Sequence, residues 1–379
     1  MAVYKLFPKQ DATLYSLFPQ MNTGLDEILD VSNLNIAISS NAQVARYLVQ
    51  FDQDEINSVF NTYVSNSAWN ATFKCFIATA QSINTDYTLK VHAVSGSWGM
   101  GTGQYLDQPI STDGCSWYWR TLAGGETWDF SPSSSNVIVD YVSPNEGGGN
   151  WYILPSASQT FNYHSDKDLN VNVTNIVNSW NSQSFASSSF INNGFLVKWV
   201  NDPVNPANDI EFNPLKGVQP VLQYYSVDTH TIYPPVLEIK WNDFTYVTSS
   251  TIPTINTSQL YASIINNGGF FYSQSVQQFR VDCRPQFPPI IFQTASIYTT
   301  NYYLPTASFW AIKDLDTNEY VIDFDPVYTK LSADTTSSFF TVYMNGLQPE
   351  RYYTILLKTT VEGSTLVFDS NYNFKVING

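Results

Sequence analysis

Short runs in which apolar and polar residues alternate recur along this chain, while the 3.6-residue periodicity of a long helix is nearly absent. In Val236–Trp241, Leu237, Ile239 and Trp241 point one way and Glu238 and Lys240 the other, which predicts a half-buried strand opened by Pro234 and Pro235. Further strand-like runs span 45–51, 73–79, 87–94 and 195–200, punctuated by Gly, Asn, Ser and Pro clusters. One stretch breaks the rule. Val173, Ile176, Val177 and Trp180 fall at i, i+3, i+4 and i+7, predicting two helical turns with Asn172 as N-cap.

The order of these elements resembles a known family. Asp11-Ala-Thr-Leu14, Asn22-Thr-Gly24, the strand Ile28-Leu-Asp-Val31 and Arg46-Tyr-Leu-Val-Gln-Phe-Asp52 come first. Leu89–Trp98 with Gly101-Thr-Gly103, Thr127-Trp128, Asn172-Val-Thr174, Asn193-Gly194-Phe195 and Pro234-Pro235 follow in sequence. Together they resemble the carbohydrate-binding-type β-sandwich known as the DNRLRE domain, over roughly residues 5–241. The resemblance implies a jelly-roll-like sandwich for residues 1–242. Asn172 stands where that family usually has aspartate, and 106–125 reads as a longer loop than its pattern needs.

Beyond Trp241 the texture changes, and the Thr/Ser-rich 246–254 reads as a linker, so residues 243–284 are expected to join or dock rather than to form a sandwich. From about Pro285 a second, smaller sandwich is expected, covering 285–379. Leu347-Gln-Pro349 followed by Tyr353-Thr-Ile355 resembles the corner of fibronectin type III and immunoglobulin-like domains, where such a tyrosine bonds back to upstream backbone. The fold class expected is therefore all-β, a jelly-roll-like sandwich followed by an Ig/fibronectin-III-like one.

Composition narrows the partners. Charged residues make up 13% of the chain and aromatic residues 16%, so its surface must be covered largely by uncharged polar groups. Seventeen basic against 32 acidic residues give a formal charge of −15, which disfavours nucleic acid and anionic membrane surfaces. No run approaches the ~18 apolar residues of a membrane span, and the first residues lack a secretory pattern. Cys75, Cys115 and Cys283 are too few and too scattered for a disulfide framework, and Cys75 reads as a core residue. Folding in a host cytoplasm is the expectation.

Catalytic motifs are not found. No histidine has a partner at a metal-ligand spacing, and neither a nucleophile elbow nor a phosphate or dinucleotide loop is present, so no metal, cofactor or enzymatic activity is expected. Asp314-Leu-Asp-Thr-Asn318 alternates oxygen ligands, but Glu319 occupies the place where a calcium loop turns on glycine, and a hairpin turn is the better reading. His92, opposite Leu89, Val91 and Ala93, reads as a solvated strand residue, and His230 as a turn residue or a ligand contact. Trp117, Tyr118 and Trp119, with Arg120 and Trp98, form the candidate ligand site. Their rings would either stack on sugar or fill the core or a contact with another chain.

Those observations lead to a non-enzymatic virion structural protein, similar to head-decoration, neck or tail-fibre-associated proteins of T4-like tailed bacteriophages. Its expected partners are other virion subunits and further copies of itself. The alternative is a carbohydrate-binding module for a host-surface glycan.

Overall fold

A computed structural model describes residues 2–34, 43–64, 68–83, 86–122, 124–128, 137–138, 147–185, 188–200, 211, 220–288 and 301–379. The protein is all-β and sandwich-like, with two short α-helices among the described residues, Gln53–Thr62 and Thr174–Ser182. It divides into two compact units. The first comprises residues 6–63 and 70–238; the second comprises 1–5, 64–69 and 239–379.

In the first unit the strand Gln43–Phe51 is the axis of a nine-stranded sheet. It pairs antiparallel with Pro8–Tyr15 on one edge, and with Phe195–Trp199 and, at its start, Ile28–Leu34 on the other. Tyr87–Val94 and Trp151–Phe161 extend the sheet beyond Phe195–Trp199. Alternation sends Tyr47, Val49 and Phe51 to one face and Val44, Arg46 and Leu48 to the other. The first face packs on aromatic rings: Phe73 stacks on Phe195 at 4.7 Å, and Trp180 meets the same ring at 4.6 Å.

The helix Thr174–Ser182 supplies Trp180, and Val173, Ile176 and Val177 are buried with it, as its periodicity predicts. Its start differs by one step. Val173 holds the cap position, while the Asn172 side chain accepts from the Thr174 amide at 3.0 Å, and the Thr174 hydroxyl accepts from the Ala71 amide at 3.0 Å. Asn172 thus satisfies a first-turn amide from one position upstream of the cap, while Thr174 ties the helix to the strand Trp69–Cys75.

The second face of the sheet is covered as well. Ala12, Leu14, Val44, Leu48, Val94 and Leu196 pack under Trp98, Cys115, Trp117, Trp128 and Trp151. Each of these tryptophans can bury roughly 150–250 Å². The long 106–125 loop belongs to this roof, and that corrects the reading of His92. Alternation does turn His92 away from Leu89, Val91 and Ala93, but the face it reaches is roofed, and it is buried with its Nδ1 3.0 Å from the Tyr152 carbonyl.

In the second unit, one sheet orders Leu260–Ile264, Val276–Pro285, Ser338–Tyr343 and Ser332–Ala333. The other orders Phe270–Tyr272, Ser364–Ile377, Tyr352–Val361, Ser308–Asp314 and Tyr320–Ile322. Between them, Phe340 stacks on Trp310 at 5.0 Å and on Phe279 at 5.3 Å, within a core that includes Val281, Val342, Ile355 and Phe374. The stretch 243–284, expected as a linker or docking segment, supplies three of these strands. Its alternation is short and broken by Asn266-Asn-Gly-Gly269, and the apolar partners of Phe279 and Val281 lie some sixty residues on at Phe340 and Val342.

The tyrosine corner forms: the Tyr353 hydroxyl donates to the Gln348 carbonyl at 2.9 Å from a buried ring. Tyr353→Phe should lower the stability of the second unit by about 1 kcal/mol, the net worth of such a bond, read as a fall in its urea midpoint at unchanged slope. The Asp314–Asn318 segment is a turn between Ser308–Asp314 and Tyr320–Ile322. Asp314 accepts from the amides of Asp316 and Thr317 and is clamped by the Arg351 guanidinium at 2.5 and 2.6 Å.

Candidate functional site

Trp117 is fully buried, and Trp98 is nearly so, donating its indole N–H to the Asn193 carbonyl at 2.8 Å. Neither can lie against a sugar at the surface, because both are roof of the second sheet face. Trp119 and Arg120 are half-buried in a short hairpin of Trp119–Thr121 with Glu126–Thr127. The Arg120 guanidinium reaches the Ser97 carbonyl at 3.2 Å and Glu126 at 3.0 Å. Tyr118 alone of the four aromatic residues is exposed, edge-on to Trp119 at 5.1 Å. His230 lies apart from that group, exposed, with Nδ1 3.0 Å from Glu27.

Beneath the roof lies a charge cluster that sequence reading missed. Arg46 and Lys198, from neighbouring strands, converge on Glu211, and all three side chains are 0–1% exposed. Arg46 grips the carboxylate with Nε at 3.1 Å and Nη2 at 2.6 Å, while Nη1 donates to the Gly148 carbonyl at 2.8 Å. Lys198 Nζ is 2.6 Å from the same carboxylate. The guanidinium lies between Trp117 and Trp151, 4.9 and 5.2 Å from their ring centres, where cation–π attraction replaces lost hydration.

Gly148 permits this approach. Its φ is +81°, and a Cβ there would sit 2.7 Å from the Trp117 ring and 2.8 Å from Arg46 Nη1.

Burial and the nearby charges of Lys198, Lys90 and Arg46 push His92 down to about 3, so the folded protein holds it neutral. The unfolded chain binds a proton below about pH 6.5 that the folded chain refuses, so stability from this residue is complete above that pH and is lost as pH falls toward 3. Asp11 acts in the opposite sense. Burial raises its pKa well above the ordinary value, so its folded carboxyl keeps a proton that the unfolded one releases. The histidine contribution is therefore read by difference. Between pH 6.5 and 4, His92→Phe should gain on the wild type by up to about 1.4 kcal/mol per pH unit.

At one loop end of the first unit, side chains of two loops meet at the surface. Tyr105 is 45% exposed, and its ring lies 4.8 Å from Tyr15 and edge-on to Phe18 at 6.2 Å. Leu17 and Leu106, next to these rings in the chain, and Leu25, whose amide donates to the Gly103 carbonyl, are also exposed.

Two carboxylates border the rings. Asp30 accepts from the Tyr15 hydroxyl, and the backbone amides of Ile28, Tyr105 and Glu27 near Asp26 partly offset the effect of its burial. Burial raises both above the usual carboxylate value, and for Asp26 the charge of Asp30 adds to it. The Tyr118 amide donates to the Pro19 carbonyl at 2.9 Å, so the exposed member of the sequence-predicted group is tied to the same loop as Phe18. The sequence signal available was only Leu17-Phe18 and Tyr105-Leu106, two apolar pairs in polar loops about ninety residues apart.

Asn22 holds those loops together. Its side-chain amide donates to the carbonyls of Met100 and Cys115 at 2.6 and 2.7 Å and accepts from the amides of Gly103 and Gly24 at 2.8 and 3.2 Å. Among the described residues no group of three His, Cys, Asp or Glu side chains is placed to hold a metal ion. None of the helices is long and apolar enough to cross a membrane among those residues. The thiols of Cys75, Cys115 and Cys283 are buried, and burial raises each of their pKa values.

Comparison with known proteins adds little. No protein-family model and no curated protein matches the chain. Among solved structures, similarity is found to the adhesin domain of Epf from Streptococcus pyogenes, at 9% identity and a TM-score of 0.18, over 88% of this chain and 72% of that one. Similarity is also found to the β-glucuronidase of Parabacteroides merdae, at 9% identity and a TM-score of 0.17; it covers 88% of this chain but spans only 28% of that enzyme.

Proposed function

We propose that this chain is a non-enzymatic structural protein of a tailed-bacteriophage virion, a head-decoration, neck or tail-fibre-associated component that assembles through its β-sandwich units. In this reading the first unit is a DNRLRE-like sandwich. The observation that supports it most is the use made of its reactive side chains. Arg46, Lys198, Glu211 and His92 are buried together under the tryptophan roof, and all three thiols are core groups held protonated. These are groups that an active site would expose to substrate, and here they fasten strands and loops. A low-charge surface suits stable contact with other subunits, among them further copies of the chain. Mass spectrometry of purified particles should find the protein at fixed stoichiometry; its absence from them ends this reading.

A second reading, recognition of a cell-surface polysaccharide, is favoured by the exposed ring and carboxylate surface around Tyr105. The two are compatible in a receptor-binding fibre. Retention of the protein on a glycan array is the direct measurement.

A further inference from the structure

The Tyr105 surface has a composition that narrows what it can bind, and this inference rests on the second reading above. Its centre is an aromatic ring, 45% exposed and braced on two sides by Tyr15 and Phe18. A ring so braced loses little freedom on binding, and it presents an apolar face beside a wet rim. Its border is acidic: Asp26 and Asp30 stand against the rings, Glu27 follows Asp26 in the chain, and Asp107 lies two residues beyond Tyr105. Carboxylates accept hydrogen bonds from hydroxyl groups, and Asp26 is only partly buried.

We propose that this surface is a binding subsite for a neutral, hydroxyl-rich sugar unit. The C–H face of the sugar lies on Tyr105, and its hydroxyls donate to the Asp26 carboxylate. Sugars carrying carboxylate or sulfate are repelled by the same border and by the net charge of −15. Another polypeptide would also bury the exposed leucines, but it would leave Asp26 facing it without a basic counterpart unless it supplied one. A sugar satisfies both rings and carboxylates with one chemistry.

Affinity electrophoresis of the full chain tests this, with mannan, dextran, a β-glucan and a galactan as neutral probes and polygalacturonate and chondroitin sulfate as anionic ones. Retardation by at least one neutral polymer, weakened at least tenfold by Tyr105→Ala and unaffected by Trp119→Ala, is the expected result. Asp26→Asn, which retains an acceptor oxygen and removes the charge, should allow weak retardation by polygalacturonate. Near- and far-ultraviolet circular dichroism of each variant confirms that it is folded.

Binding of a neutral polymer that survives Tyr105→Ala would overturn the assignment of the site and leave glycan recognition standing. If no neutral polymer binds the folded wild type, or only the anionic ones do, the proposal fails. A change of oligomeric state in Tyr105→Ala without any sugar binding would assign the surface to a protein contact and also overturn it.

Discussion

Glu211→Gln is expected to lower the stability of the first unit by about 3–5 kcal/mol, because it leaves Arg46 and Lys198 buried without their shared counter-charge. The glutamine fits the same space, so the effect measures charge rather than packing. In a unit of this size each kcal/mol is worth roughly 2–4 °C, so the midpoint of its thermal transition should fall by about 6–20 °C. Glu126→Gln is the control. It removes a pair with Arg120 whose side chains are 51% and 22% exposed, and such a pair contributes no more than about 1 kcal/mol.

A triple variant, Arg46→Met, Lys198→Met and Glu211→Leu, should recover much of the loss, since a buried ion cluster gains little over apolar groups of similar volume. Equal stability of Glu211→Gln and the wild type would show that the carboxylate does not neutralise the cluster.

Asn22→Ala should cost about 4 kcal/mol, four hydrogen bonds at roughly 1 kcal/mol each. Asn22→Asp should cost more, because it keeps the acceptor, loses both donors and buries a charge. The surrounding glycines leave no room for another solution. A Cβ at Gly101, whose φ is +83°, would lie 2.4 Å from Asn22 Oδ1. The variant has a local signature as well. Loop 99–115 carries Tyr105, so limited proteolysis should cut Asn22→Ala first within that loop, at temperatures where the sheet is still intact. Cleavage elsewhere, with the loop protected, would mean that the four bonds do not hold it.

Much of the fold was legible from local pattern. The strand Val236–Trp241, the four-residue stripe ending at Trp180 and the Leu347–Tyr353 corner each depend on residues close in the chain, and each is found in the structure, though Glu238, expected on the open face of that strand, is buried and paired with Lys74. The candidate site was barely legible. Trp117 and Tyr118 are neighbours in sequence, yet one carries the Arg46 cluster and the other faces solvent. Alternation can say that two residues part company; it cannot say which face is roofed.

The sequence by itself determined the secondary structure class, the acidic low-charge composition and the short turns, because these follow from neighbouring side chains and backbone geometry. Tertiary structure decided that both faces of the first sheet are buried, that His92 and Glu211 lie inside, that 243–284 supplies strands, and that Tyr15, Phe18 and Tyr105 meet at one surface. Those outcomes depend on contacts between residues tens to hundreds of positions apart. A buried charge and a solvated one read alike until the group that neutralises or covers them is in place.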